Sequence, residues 1–250
     1  MAVAVDSNLS SPSLPDDITL NIASILGTRE LCSLGSCSCY FRDLCASDFL
    51  WIGLFKRRWP SLSLTGVSNS SEKGWRRAYI NQHKKLLEKV SAITHFVKDC
   101  SQNESIEISD YLKAVAFLGS AELGFEDVQI FLFSVNTNVL MNLIGVHYSI
   151  FHLQIPIDVV NAALHSHQVS AREVCVFSFR LGRWFFGFRM PDEHSSRRVS
   201  LAQITSPNEE ELRMILNRGL LHDVLRVHII SPSRFDVASS AALPDPRVPS

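Results

Sequence analysis

The sequence predicts an α+β fold, with an N-terminal helical module, a long connecting helix, a mainly helical middle section and a C-terminal antiparallel β-hairpin or sheet with flanking helices. Three observations carry this reading. Apolar residues recur at helical spacing from Ile18 to Leu164. The pattern changes at Val174, where VCVFSFRLGRWFFGFRM is dense in strand formers. Between Pro60 and Gly74 the run PSLSLTGVSNSSEKG replaces periodicity with serine, glycine and asparagine. The 250 residues therefore divide into a tail at 1–13, a helical module at 14–60, a serine-rich linker at 61–72, a basic connecting helix at 73–97, an α+β domain at 98–234 and a second tail at 235–250.

The N-terminal module reads as four short helices. Pro15 before Asp16 and Asp17 suits a first turn, and Ile18, Ile22, Ile25 and Leu26 share one face before Gly27. Thr28 can cap a second helix carrying Leu31 and Leu34, and a third presents Tyr40, Phe41 and Leu44. Ser47 can cap a fourth with Leu50, Trp51, Leu54, Phe55 and Trp59, which Pro60 ends. Fewer than about fifty residues of such helices bury too small a fraction of their surface to be stable alone, so their stripes need cover from a partner or from the following domain.

Trp75, Tyr79, Leu86, Val90 and Ile93 keep helical spacing along the connecting helix. Ser109 can cap the next helix, with Tyr111, Leu112, Val115 and Leu118; Glu126 to Phe133 fits either a helix or a strand. Val139 to Phe151 is again helical, and Pro156 starts a helix with Val159, Val160, Ala163 and Leu164. With Leu181 and Gly182 as a hairpin loop, Phe179 faces Trp184, Phe177 faces Phe186 and Cys175 faces Phe188. The other side then collects Arg172, Arg180, Arg183 and Arg189 around Phe185, a surface suited to clamping an acidic or phosphorylated peptide by bidentate pairing. Ser200 to Ile204 reads as a further strand, Asn208 to Asn217 as a helix closed by Gly219, and Leu225 to Ile230 as the last strand.

Charge excludes little locally and much globally. The formal net charge is −1, so no overall field draws the chain to nucleic acid or to an anionic membrane. Residues 51–90 nevertheless sum to +7 and the remainder to −8. Trp59, Trp75 and Tyr79 interleave with these cations, an arrangement that could grip nucleic acid at 56–89, but they fall on the apolar stripe rather than among the charges. The start lacks the basic region of a secretory signal, and no apolar run approaches the ~20 residues of a membrane span. The six cysteines are accordingly read as reduced thiols of the cytoplasm or nucleus.

No catalytic, metal or cofactor site is expected. Cys32, Cys37, Cys39 and Cys45 lack paired C-x2-C spacing and read as small buried hydrophobes rather than zinc ligands. His147, His152, His165 and His167 have no fixed third partner, so they read as solvent-facing or hydrogen-bonded. There is no G-x-S-x-G elbow, P-loop or G-x-G-x-x-G run. Arg197-Arg198-Val199-Ser200 has the form of a basophilic kinase site, and also of an exposed strand edge.

The stretch LPDDITLNIASILGTRELCSLGSCSCYFRDLCASDFLW, Leu14 to Trp51, resembles the F-box family. The ordered features are Leu14-Pro15 with two acids, Ile18, Ile22, Leu26, Leu31, Leu34, Phe41, Leu44 and Leu50-Trp51, with LFKRRWP and GWRRAYINQHKKL in the usual trailing positions. Cys37-Ser38-Cys39-Tyr40 departs from the pattern, which more often has a valine, a polar residue and a basic one there. The resemblance implies a non-catalytic adaptor of a Skp-cullin-F-box ubiquitin ligase. Leu14, Pro15, Ile18, Leu31, Leu44 and Trp51 would dock a Skp-type linker and, through it, cullin and RING proteins, while the later domain holds an unknown protein substrate. A scaffold that binds the linker without serving ubiquitination is the alternative within the same family.

Overall fold

A computed structural model describes residues 15–60, 62, 74–101, 105–182, 184–218 and 224–230. Leu14, Arg183, both predicted tails and nearly all of the serine-rich linker lie outside the described residues. The fold is α+β, and the chain forms two compact units, Met1–Lys84 and Lys85–Ser250, which divide within a single helix.

The first unit holds α1 (Asp16–Ile25), α2 (Thr28–Cys37), α3 (Cys39–Cys45), α4 (Asp48–Arg58) and the opening turns of α5 (Trp75–Cys100). Local chemistry sets these boundaries. Asp16 and Asp17 place carboxylates at the positive end of α1, and the Ser38 hydroxyl accepts from the Phe41 N–H to start α3. Gly74, at φ +80, turns the chain into α5, whose Trp75 N–H donates to the Asp48 carboxylate. Thr28 is helical rather than a cap; Gly27 holds the capping position, and the Thr28 hydroxyl is instead 2.8 Å from the Tyr79 hydroxyl.

In the second unit, α6 (Ile108–Ala121), α7 (Phe125–Phe131), α8 (Val139–His147) with a π-turn at Tyr148–His152, and α9 (Ile157–Ser166) precede the sheet. Glu126 to Phe131 is thus helical, and Leu132 and Phe133 leave the helix in a turn. The sheet has the order β1-β6-β2-β5, all antiparallel, from β1 (Ser105–Glu107), β2 (Glu173–Arg180), β5 (Glu193–Ser200) and β6 (Val224–Ile230). Ile106, Ile229 and Val176 lie in one cross-strand row and are buried with Val174, Val199 and Val227 on the face that α6 and α8 cover. Leu140, Met141, Leu143, Ile144, Leu118 and Val128 complete this core.

The predicted hairpin is corrected. β2 pairs with β5, Arg180 opposite Glu193, and the intervening chain forms its own ribbon from β3 (Trp184–Phe185) and β4 (Phe188–Arg189). Its loop is Phe186-Gly187, with φ +47 and +85, the sign that a two-residue type I′ turn requires; Gly182 has no such conformation. Phe179 therefore lies opposite His194, not Trp184. The run after Val199 is corrected too. Ser200 ends β5 and caps α10 (Leu201–Ile204) through a reciprocal pair with Gln203. A 3-10 turn (Pro207–Glu209) then leads into α11 (Glu210–Arg218).

Two buried polar groups tie the helical core together. Asn142 on α8 is fully buried and donates to the Leu132 and Ser134 carbonyls, while its own oxygen accepts from Arg172. His147 is buried with its Nδ1 3.1 Å from the Tyr111 hydroxyl. Burial first, and the neighbouring His152 second, lower its pKa from 6.5 to about 4. The unfolded chain therefore binds a proton that the folded one refuses between those values. Stability from this site is complete above pH 6.5 and falls as pH drops toward 4, by about 3 kcal/mol at the limit. Urea midpoints measured from pH 7 to 5 should fall in the wild type, and His147→Gln should flatten that slope at the cost of lower stability at pH 7.

Candidate functional site

The candidate docking surface begins with an inversion on α1. Its inward residues are the small Thr19 and Ala23, whereas Ile18, Ile22 and Ile25 stand 47, 50 and 79% exposed. Spacings of four and three residues put the three isoleucines on one stripe, and Pro15, also exposed, sits at its N-terminal end. An apolar stripe turned outward is the opposite of what an ordinary surface helix does.

The reason lies in what fills the interior of the unit. Trp51, Phe55, Trp59 and Tyr79 form a cluster, with Trp51 and Trp59 ring centroids 5.4 and 4.9 Å from Tyr79. The Arg58 guanidinium is buried among them, 4.7 Å over the Trp59 ring, and donates to the Tyr79 hydroxyl at 2.7 Å. Trp51 spends its indole N–H on the Cys45 carbonyl, which locks α3 to α4. Tyr40 donates to the Asp16 carboxylate and Arg57 to the Leu26 carbonyl, so both ends of α1 are tethered by polar bonds that leave its isoleucines outside.

The structure thus separates the residues expected to dock a partner. Pro15 and Ile18 are on the surface, and Leu44 is half-buried. Leu31 and Trp51, at 1 and 3% exposure, are core residues that hold the surface in place. Ile22 and Ile25, read from the sequence only as a helix face, join the exposed stripe, and Phe49 on α4 is exposed as well.

The arginines of the second unit do not form one surface. Arg172 points into the helical layer, where its guanidinium donates to the Ser134 and Thr137 carbonyls and to Asn142, and partial burial lowers its pKa. Arg180 lies 3.5 Å from Glu211 beside α11, and Arg189 pairs with Asp192 at 2.7 Å. Phe185 is exposed on the β3–β4 ribbon. Over the opposite face of the sheet runs a groove of about 550 Å³ lined by Phe177, Phe179, His194 and His228.

The remaining sequence candidates are also placed. Trp59 and Tyr79 are buried and offer no stacking face to a nucleic-acid base, and the half-buried Trp75 meets Phe55 edge to face. Of the clustered cysteines only Cys45 is buried, and burial raises its thiol pKa; Cys32, Cys37 and Cys39 are exposed, contrary to the reading of all four as core hydrophobes. α2 and α3 are too short to enclose both faces, and Leu31 and Trp51 take the interior. His165 bonds to Ser170, and His152 stacks on Tyr148. Among the described residues no three His, Cys, Asp or Glu side chains converge on a metal site.

Residues 11–57 match a family model described as F-box-like. No curated protein and no solved structure matches the chain.

The division between supporting and surface residues has a direct consequence for stability. Leu31→Ala empties buried volume and should cost about 3 kcal/mol, whereas Ile18→Ala, on the open stripe, should change stability by less than ~0.5 kcal/mol. Equilibrium urea unfolding followed by tryptophan fluorescence distinguishes the two.

Proposed function

This chain carries an F-box-like domain at residues 11–57, and we propose that it is a substrate-recruiting, non-catalytic adaptor of a Skp-cullin-F-box ubiquitin ligase. F-box-like domains are protein-interaction modules. In this reading α1 presents Pro15, Ile18, Ile22 and Ile25 to a Skp-type linker, with Leu14 and Leu44 extending the contact, and Leu31 and Trp51 supporting it from beneath. The observation that carries the proposal is the outward apolar stripe of α1: desolvating three isoleucines in a partner groove supplies the binding energy that the isolated unit leaves unused. The second unit then holds the target, raising the local concentration of its lysines at the ubiquitin-loaded enzyme. Compartments follow the partners, in the cytoplasm, the nucleus or both.

The experiment is co-purification of the full chain with a Skp-type linker, comparing wild type with an Ile18→Asp, Ile22→Asp double variant. Wild type should retain the linker and the variant should lose it by at least about a hundredfold in affinity, as hot-spot truncations do, with an unchanged melting temperature. Binding that survives both substitutions would remove α1 from the interface. Cullin in the wild-type complex supports the ligase role, whereas a linker complex without cullin would make the protein a scaffold.

A further inference from the structure

The most exposed apolar cluster among the described residues is in the second unit and is unrelated to linker docking. Trp184, Phe185, Phe186 and Phe188 on the β3–β4 ribbon are 73, 65, 88 and 78% exposed, and Met190 follows at 54%. The pairs Trp184–Arg189 and Phe185–Phe188 set Phe185 and Phe188 on one face and Trp184 on the other, with Phe186 at the turn. The tip is therefore apolar on one face and at its end, its other face pairs Trp184 with Arg189, and residues 184–190 contain no acidic side chain.

The base of the ribbon is built to hold it out. The Asp192 carboxylate accepts from the Gly182 N–H at 2.8 Å, clasping the two legs together, and also from Arg189 on its own leg at 2.7 Å. Gly182 is needed there, because a Cβ would come 1.7 Å from the Met190 carbonyl oxygen. Above this neck, Arg189 sits opposite Trp184, and Arg180 ends β2 below it. Both arginines are in exposed ion pairs, Arg189 with Asp192 and Arg180 with Glu211, of the kind that contributes little and exchanges readily for another anion. From Arg172 to Arg198 the sequence holds six arginines against Glu173, Asp192 and Glu193.

We propose that this ribbon inserts its aromatic tip into the interfacial layer of an anionic lipid bilayer, with the neck arginines at the level of the headgroup phosphates. A groove on a partner protein covers one face of a ribbon, whereas a bilayer takes up Phe186 at the turn and the exposed aromatics of both faces together, with its phosphates meeting Arg189 beside Trp184. The dimensions agree. Phe186 lies two residues beyond the Trp184–Arg189 pair, about 7 Å at strand rise, which is within the roughly 5–10 Å depth of interfacial insertion. Tryptophan beside arginine is the pairing that suits the boundary between headgroups and acyl chains. The contact is peripheral: among the described residues no helix is long and apolar enough to cross a membrane. It anchors the recruiting unit to a surface, whatever the first unit binds.

The test is co-sedimentation of the full chain with phosphatidylcholine vesicles containing about one third phosphatidylserine, alongside vesicles of phosphatidylcholine alone and tryptophan emission spectra. Trp184 is far more exposed than Trp51 or Trp59, which are buried, so insertion should shift the emission to the blue. The wild type should sediment with the anionic vesicles and less with the neutral ones. Phe186→Asp with Phe188→Asp should reduce the bound fraction about tenfold or more without changing the melting temperature, and the milder Trp184→Ser should give a smaller loss. Failure of the wild type to sediment with anionic vesicles would overturn the proposal, as would sedimentation that both variants retain. Self-association abolished by the same substitutions, without vesicle binding, would overturn it in favour of a second copy of the chain as the occupant.

Discussion

The first unit depends on one packed contact set, the Arg58 guanidinium buried between Trp59 and Tyr79 with its hydrogen bond on the Tyr79 hydroxyl. A buried charge is tolerable only when its donors are met and its field is matched. Here the π-faces and the tyrosine oxygen do that, and His83 lies 3.2 Å from the same guanidinium. Because Tyr79 belongs to α5 and Arg58 to α4, this contact joins chain segments on either side of the serine-rich stretch. It fixes α4 and with it Trp51, whose indole bond to Cys45 fixes α3. Once these aromatic groups occupy the interior, the only face of α1 small enough to pack inward is Thr19 and Ala23, and the isoleucines are left outside. The outward apolar stripe is thus a consequence of how the core is filled.

The helical module was legible because its signals are local. Proline with acids at the start of α1, serine before α4 and proline after it act within one turn, and the structure places helices there. Which residues point inward is legible only in part: the family resemblance puts Ile18 among the docking residues, but also Leu31 and Trp51, which are buried. Ile18, Ile22 and Ile25 have the spacing of a core stripe, and only the competition for interior volume by Trp51, Phe55 and Trp59 turns it outward. Leu31 and Trp51 belong to the same motif as Pro15 and Ile18, yet the motif does not state which residues make contact and which support.

The C-terminal region shows the same limit at longer range. Strand character at Val174 is evident in the sequence, but the turn expected at Leu181-Gly182 lies at Phe186-Gly187. The difference rests on the Asp192 clasp to Gly182 and on the pairing of β2 with β5, which draws the partner strand from beyond the aromatic run. Arg172 is the clearest case: composition suggests an exposed cation, but Asn142 and the Ser134 and Thr137 carbonyls, more than twenty-five residues away in sequence, draw it inside.

The central claim is that α1 meets the linker through its outward stripe while the aromatic core beneath stays intact. Hydrogen–deuterium exchange of the full chain, with and without a Skp-type linker, tests it most directly. The account predicts slowed exchange across Asp16–Ile25 on addition of the linker, with Glu210–Arg218 unchanged. Slowing confined to the second unit, or none at all, would contradict it.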